Sequence, residues 1–262
     1  MSINATRRHE IVDLARAHGF VSIEPLAEQF RVTPQTIRRD INELCEQGVL
    51  QRFHGGARLP SSTENLAYPE RQVLCRNEKR RIAKLVTEHV PNHASLFINI
   101  GTTNEAIADA LLGHRGLKVV TNNLNVAKIL SGNPDFKVMV AGGEVRHHDG
   151  GIVGDATIDL IGQFKMDIGI IGISAIDGDG SLLDFDEREV RIARAILDNS
   201  RKVYLAADHT KFGRKAMVRL GKIDHIDAFF TDRLPPPSIC RRLSDADTAL
   251  HIAIGLQSEF GG

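Results

Sequence analysis

The amino-acid sequence predicts an α/β protein in two parts: a small helical domain with a β-hairpin over residues 1–59, and a larger domain on a largely parallel sheet over residues 73–255. Three observations predict it. Apolar residues recur at helical spacing three times before Gly48, and a short strand, a Gly-Gly turn and a second short strand follow. Pro60-Ser61-Ser62-Thr63 then breaks the periodicity, which makes residues 60–72 a linker, and from about Pro69 a basic helix with Leu74, Ile82, Leu85 and Val86 as its apolar residues leads into the second part. Beyond Ser95, short apolar runs alternate with helical patterns, as they do in βα units with parallel strands. Residues 256–262 form a C-terminal tail. At 262 residues and 42% hydrophobic content the chain can bury a core in each part.

Ile11, Val12, Leu14 and Ala15 define the first helix, with Thr6 as a candidate cap and Gly19 as a stop. Ser22 stands at the N-cap of a second, short helix carrying Leu26, Ala27 and Phe30, and Arg31-Val32 is a tight connection. Thr33 caps a third helix whose first residue is Pro34, where a missing N–H costs nothing; Ile37, Ile41 and Leu44 form its buried stripe. Val49–Phe53 is strand-like, and His54-Gly55-Gly56 turns the chain back through Ala57 to Leu59. This order is that of a winged helix-turn-helix unit.

The start of the third helix presents Thr33, Gln35, Thr36, Arg38 and Arg39 outward. A helix N-terminus favours phosphate through its free N–H groups, and these side chains hydrogen-bond phosphate oxygens or base edges in a major groove. A small helical packing unit with solvated arginines has the same residues; the caps and the wing favour nucleic acid. Formal net charge is zero, so any such contact rests on a local basic surface.

In the larger part LFINI, LKVVT, FKVMVA, DIGIIGIS, KVYLAAD and DAFFT are strand candidates. The first runs into Gly101-Thr102-Thr103 and a helical stretch, so backbone N–H groups and two hydroxyls converge on a helix N-terminus suited to an anion, although a plain Thr-capped turn has the same sequence. Asn122-Asn123 and Gly142-Gly143 follow the next two strands, at the carboxyl ends where such sheets present ligands. Asp177, Asp184, Asp186 and Glu189 offer acceptors for ligand hydroxyls, and Lys211 offers a cation for a phosphate. For Asp179 and Asp184 the reading as ordinary turn formers is preferred.

Other chemistries find little support. Cys45, Cys75 and Cys240 are far apart in sequence and make no CxxC pair, which fits a reducing cytoplasm. Asp177-Gly-Asp-Gly-Ser has Leu182 where a calcium loop needs Gly. His147-His148-Asp149 is read as a solvated loop, and no metal or cofactor is assigned. Phosphate-loop and dinucleotide fingerprints are absent, as are a signal peptide and an apolar run of membrane length.

The QTIRRDINEL string followed by HGGA resembles the signature of the DeoR family of winged helix-turn-helix regulators. The resemblance continues to about His251 and includes the GTT loop and the Asp208-His209-Thr210-Lys211 turn. It implies that the third helix enters the major groove, with Arg52 and His54 on the wing as backbone or minor-groove contacts; Arg38 and Arg39 are not divided between base and phosphate. It implies a sensor domain similar to ribose-5-phosphate isomerase and its sugar-phosphate-binding relatives, with Thr102, Thr103 and Lys211 on phosphate and Asp177 and Glu189 at the polyol end. VTNNLNVA, AGGEVRHHDGGIVGDATID and DHTKFGRKAMV look closest to members that govern glycerol metabolism. The implied partners are double-stranded operator DNA, a small phosphorylated effector such as glycerol 3-phosphate, and further copies of the chain, with no membrane. Repression rests on the resemblance alone, against activation. The alternative is an isomerase-like enzyme with an added DNA-binding domain and Glu189 as its base. One departure is Ser174-Ala175, where many members have Ser-Gly; alanine is tolerated there unless the backbone needs a positive φ.

Overall fold

The computed structural model describes residues 3–18, 20–53, 55–60 and 65–254. Its first domain runs α1 (Ile3–His18), β1 (Phe20–Ser22), α2 (Ile23–Phe30), α3 (Pro34–Glu46), β2 (Gln51–Phe53) and β3 (Gly56–Arg58). The helical stripes converge as their spacing requires: Ile11, Ala15, Leu26, Ile37, Ile41, Leu50 and Ala57 are buried in one cluster. Thr33 Oγ1 accepts from Thr36 N (3.2 Å) at the start of α3, directly before Pro34. Ser22 occupies the N-cap position of α2, but its side chain makes no capping bond.

Two expectations are corrected here. Thr6 lies inside α1, because the helix starts at Ile3; helical backbone at Arg7 and Arg8 lets both reach Asp40 on α3 (2.6 and 3.5 Å). The wing also gains a third strand. β1 pairs antiparallel with β3, giving the order β1-β3-β2, and a Cβ on Gly56 would lie 1.9 Å from the Val21 carbonyl oxygen. Only glycine permits that approach.

The end of the expected linker is helical, in line with a basic helix from about Pro69, but that helix is divided in two at Cys75. α4 (Tyr68–Val73) and α5 (Arg76–Thr87) follow one another, joined through Cys75 in a left-handed conformation (φ 52). The chain continues with β4 (Ser95–Ile98), α6 (Thr102–Leu111), β5 (Lys118–Thr121), α7 (Leu124–Leu130) and β6 (Lys137–Val140). After them come β7 (Glu144–Val145), β8 (Ile152–Val153), α8 (Asp155–Gly162), β9 (Met166–Ile171), β10 (Ala175–Ile176), β11 (Ser181–Asp184) and α9 (Glu187–Asp198). β12 (Ser200–Ala206), β13 (Val218–Lys222), β14 (Ala228–Thr231), α10 (Pro237–Asp245) and β15 (Ala249–Ile252) complete the described chain.

The six expected strands form a parallel sheet of seven in the order β15-β14-β12-β9-β4-β5-β6. The seventh, β15, is an edge strand, and its half-exposed residues lack the apolar run of a central one. Alternation along each strand divides the core. Leu96, Ile98, Val119, Ile170 and Phe230 face α5, α6 and α7, whereas Phe97, Val120, Ile171, Leu205 and Phe229 face α8, α9 and α10. β10, β11 and β13 form a small antiparallel sheet, and β7 pairs with β8. Ala175 lies in β10 without a positive φ, so alanine there carries no backbone strain.

The connection from β4 goes through α6 on one face and that from β9 through α9 on the other, while β4 and β9 are neighbours. That is a topological switch point, and it opens a crevice at the carboxyl edge between the loops after β4 and β9.

The N-terminal core is separate from the two clusters that line the sheet. Ile41→Ala, a fully buried position, is therefore expected to destabilise the first domain by about 2–5 kcal/mol. Hydrogen exchange read by mass spectrometry checks this: exchange accelerates in α1–α3 and stays unchanged in β4 and β9.

Candidate functional site

Most of the residues expected to meet DNA are exposed, those of α3 near its start and Arg52 on β2, where it also lines the cleft towards the sensor domain. Gln35, Arg38, Arg39 and Arg52 are exposed, and Arg38 and Arg39 make no side-chain hydrogen bond or ion pair among the described residues. Thr33 and Thr36 close the first turn through their hydroxyls, 2.9 Å apart. The next residue has the opposite role: Asp40 is buried and takes Arg7 and Arg8 of α1, so it holds α3 in place. His54 lies outside the described residues.

At the carboxyl edge of the sheet the first N–H groups of α6 begin at Thr102, with Gly101 at the cap position offering no side chain. The α4–α5 segment crosses this helix end. Thr102 Oγ1 donates to the Arg71 carbonyl (3.2 Å), and the buried Lys79 ammonium donates to the same oxygen. Thr103 is buried beside them. Arg71 Nη2 reaches Asp149 (3.1 Å), and Asp149 also takes Arg146 through both carboxylate oxygens (3.1 and 2.7 Å). Burial alone would raise the Asp149 carboxyl, but Arg146 and the Gly151 N–H bring it below the ordinary range.

Lys211 arrives on the turn after β12, where Asp208 caps Thr210 N (3.0 Å). It is 9% exposed, and its ammonium has no hydrogen-bond partner among the described residues. Burial lowers it from the ordinary 10.5 to about 8; Asp208 opposes the shift, and Arg214, Lys79 and Arg71 add to it. Arg214 lies over the Phe185 ring (5.0 Å) and donates to the Ser174 carbonyl (3.3 Å), and burial lowers it to about 10. Arg71, Lys79, Lys211 and Arg214 thus form one cationic cluster, largely removed from water, in which each raises the cost of the others' charge.

Carboxylates border the cluster. Asp184 ends β11, is buried, and accepts from Phe185 N (2.8 Å); burial raises its carboxyl, with Arg71 and Lys211 acting against the shift. Glu189, in the first turn of α9, takes Arg146 Nη1 (2.8 Å) and is raised to about 7 by burial and by Asp184. Glu105 accepts from Tyr68 of α4 (2.9 Å) and is likewise raised by burial. Cations on one side and hydrogen-bond acceptors on the other suit a small ligand with an anionic end and a hydroxylated end.

The structure therefore brings together Gly101, Thr102, Thr103, Glu189 and Lys211. Asn122 and Asn123 border the same edge but serve the fold: Asn122 Nδ2 donates to the Ile152 carbonyl (3.1 Å), and Asn123 Oδ1 caps α7. The Gly142 carbonyl accepts from Thr157 Oγ1 (2.7 Å), and a Cβ on Gly143 would lie 2.4 Å from Thr157 Oγ1, so close packing on β8 and α8 accounts for Gly143. Asp177 is not brought in. It lies in the exposed β10–β11 turn, and its carboxylate is taken by Gly178 N (2.8 Å). Asp184, read from sequence as a turn former, is the acid of this hairpin that returns to the cations. Sequence reading also missed Arg71, Lys79, Glu105 and Arg214; Arg71 was hidden in the presumed linker, whereas Arg214 stands three residues after Lys211, and one turn-and-return places both.

Two clefts flank the site. One of about 640 Å³ lies between the domains, with Cys45, Leu50 and Arg52 on one wall and Val73, His209 and Arg214 on the other. A second, of about 630 Å³, runs between the α4–α5 segment and α6.

An outward-facing helix on a winged domain, joined to a sheet whose switch point gathers desolvated cations, defines a DNA-binding transcription regulator with a sensor domain. The chain matches the DeoR-like helix-turn-helix domain over residues 7–63 and the DeoR C terminal sensor domain over residues 75–233. It belongs to the DeoR family. It is 54% identical over 248 residues to the glycerol-3-phosphate regulon repressor of Escherichia coli (strain K12), covering 94% of this chain and 98% of that protein. It is 49% identical to the repressor of the same name from Haemophilus influenzae, over 95% and 97% of the two chains. The HTH-type transcriptional repressor CsqR of E. coli is 40% identical over 92% of each. A solved ribose-5-phosphate isomerase in complex with phospho-erythronic acid covers 52% of this chain and 54% of its own at 11% identity and a TM-score of 0.40, too remote a likeness to imply a shared site. The chain is thus a regulator, and the isomerase alternative falls.

The sign of the Lys211 shift gives a test on ligand-free protein. A folded value of about 8 below the ordinary 10.5 means that stability is lost as pH falls from 10.5 to 8, because the unfolded chain takes up a proton there that the buried lysine resists. Lys211→Met is expected to abolish that slope and to exceed wild type at pH 7 by up to about 3 kcal/mol, as read by urea unfolding across this range.

Proposed function

We propose that this protein represses genes of glycerol and glycerol 3-phosphate metabolism, and that binding of glycerol 3-phosphate in the sensor pocket releases it from its operator. One observation carries the reading: Arg71, Lys79, Lys211 and Arg214 gather at the N-terminus of α6 with Asp184 and Glu189 alongside, in a chain 54% identical to a glycerol-3-phosphate regulon repressor. The phosphate lies against the cations and the N–H groups of Thr102 and Thr103, and the two hydroxyls face the carboxylates.

The α4–α5 segment supplies the coupling. Arg71 faces the pocket, while Val73, Leu74 and Cys75 line the cleft against α3 and the wing. A phosphate drawing Arg71 away from Asp149 moves the segment on which the DNA-binding domain rests. The coupling is reciprocal: a ligand that lowers operator affinity tenfold is itself bound tenfold more weakly by the operator complex, about 1.4 kcal/mol. Two copies of the chain on a symmetric operator are expected, since one winged unit covers a single half-site.

Lys211→Ala is expected to retain operator binding but to need far more glycerol 3-phosphate for release, a super-repressor phenotype, because the ligand acts only through its differential affinity for the two states. Asp177→Asn leaves that response unchanged, and Asp184→Asn alters discrimination among phosphorylated polyols. Fluorescence anisotropy of labelled operator, titrated with a panel of three- to six-carbon phosphate esters, measures all three. Release of Lys211→Ala at the wild-type concentration defeats the phosphate assignment.

Arg38→Ala and Arg39→Ala each weaken operator binding. A base-reading arginine costs about 1–3 kcal/mol and relaxes one position, while a phosphate contact weakens all sequences alike and lowers the salt slope by about one. Operator affinity against salt, for matched and single-mismatch sites, separates the two.

A further inference from the structure

Beside the sensor pocket, Cys75, Asp208 and His209 each bring one metal-binding atom to a common point, the three atoms lying within 4.8 Å of one another. They come from two places in the fold. Cys75 is the left-handed junction of α4 and α5, and Asp208 and His209 follow β12. Neither the GTT loop nor the cation cluster uses the thiol or the imidazole.

Each ligand is prepared in a different way. Asp208 is fully buried; its Oδ1 serves the N–H and the hydroxyl of Thr210, and its Oδ2 has no hydrogen-bond partner among the described residues. A buried carboxylate oxygen without a partner is costly, and Lys211 and Lys79 lie within charge range of Asp208 without donating to it. His209 is held at two points by the buried Asp232, which accepts from the His209 backbone N–H (2.7 Å) and pairs with Nδ1 (2.7 Å). A proton held on Nδ1 leaves the Nε2 lone pair for a ligand, and a carboxylate behind the imidazole is the arrangement that orients metal-binding histidines. Burial pushes the Cys75 thiol up to about 12, so it is no activated nucleophile in the absence of a cation.

The geometry points to a transition-metal site for a zinc-like divalent ion, formed by Cys75 Sγ, His209 Nε2 and Asp208 Oδ2 with Asp232 behind the imidazole. Thiolate and imidazole select zinc or its neighbours over magnesium and calcium. Tetrahedral ligands on such an ion stand roughly 3.3–3.8 Å apart, so modest side-chain rotation closes the site. On binding, the Sγ–H bond breaks, the proton passes to solvent and sulfur donates the freed pair to the metal; no electron is exchanged. Cys75 and His209 line the cleft between the domains, which provides the entry path and a water for the fourth position. A bound ion ties the α4–α5 segment to the turn that carries Lys211. The site stands on its own residues and does not depend on the identity of the effector.

Cobalt(II) titration of full-length, chelator-treated protein tests it. The expected result is one equivalent of cobalt per chain with thiolate-to-cobalt charge-transfer absorption and visible bands of tetrahedral intensity, displaced by zinc. Cys75→Ser abolishes the charge-transfer band, Asp232→Asn keeps it but weakens binding about 10–100-fold, and Cys45→Ser and Cys240→Ser leave it unchanged. On wild-type protein, zinc should protect Cys75 from alkylation while Cys45 reacts as before, by peptide mapping; this readout stands even if Cys75→Ser does not fold. Absence of the charge-transfer band in wild type, its persistence in Cys75→Ser, or equal alkylation of Cys75 with and without zinc overturns the proposal.

Discussion

A buried ammonium without a hydrogen-bond partner among the described residues is the constraint on which the sensor domain turns. Lys211 is placed at the carboxyl edge of β12 by the Asp208-capped turn, and its neighbours there include Arg71, Lys79 and Arg214. Taking one cation out of water is costly, and clustering several is worse unless anions stand among them. Asp208, Asp184 and Glu189 meet part of that need, but burial drives Asp184 and Glu189 towards their neutral forms. The site is therefore short of negative charge, a setting that favours an anion.

The same shortage explains why the α4–α5 segment matters. Its attachment to the sensor domain runs through charged groups: Arg71 to Asp149, Lys79 and Thr102 to the Arg71 carbonyl, and Tyr68 to Glu105. Asp149 has two arginine partners, Arg71 and Arg146, so it stays paired if Arg71 leaves it. An exchange of Arg71 between partners thus leaves Asp149 paired, a property required of a two-state element. The other side of that segment faces α3 and the base of the wing.

In the DNA-binding domain the adjacent residues Arg38-Arg39-Asp40 divide the work by helical geometry. Ile37 and Ile41 face the core; Asp40 lies at the edge of that buried stripe and is closed by Arg7 and Arg8, and the two arginines before it project away. One ion-paired side chain thus orients the surface that its neighbours present.

The sequence by itself determined the two-part architecture, the three helices and hairpin of the first domain, and six of the strands, because these depend on local rules: the period of apolar residues, a Thr-Pro helix start, a Gly-Gly turn. It also determined the GTT loop and Lys211, which lie directly after strands where a parallel sheet presents ligands. Only the tertiary structure decided which charged residues join them. Asp177 and Asp184 are alike in sequence, yet a hairpin turns one into solvent and returns the other to the cations. Arg71 reads as linker until α4 folds over α6, and Cys75 and His209 are far apart along the chain until the α4–α5 junction meets the turn after β12. Burial, and with it the shift of each ionisable group, is a property of what packs around a residue, and local sequence does not carry it.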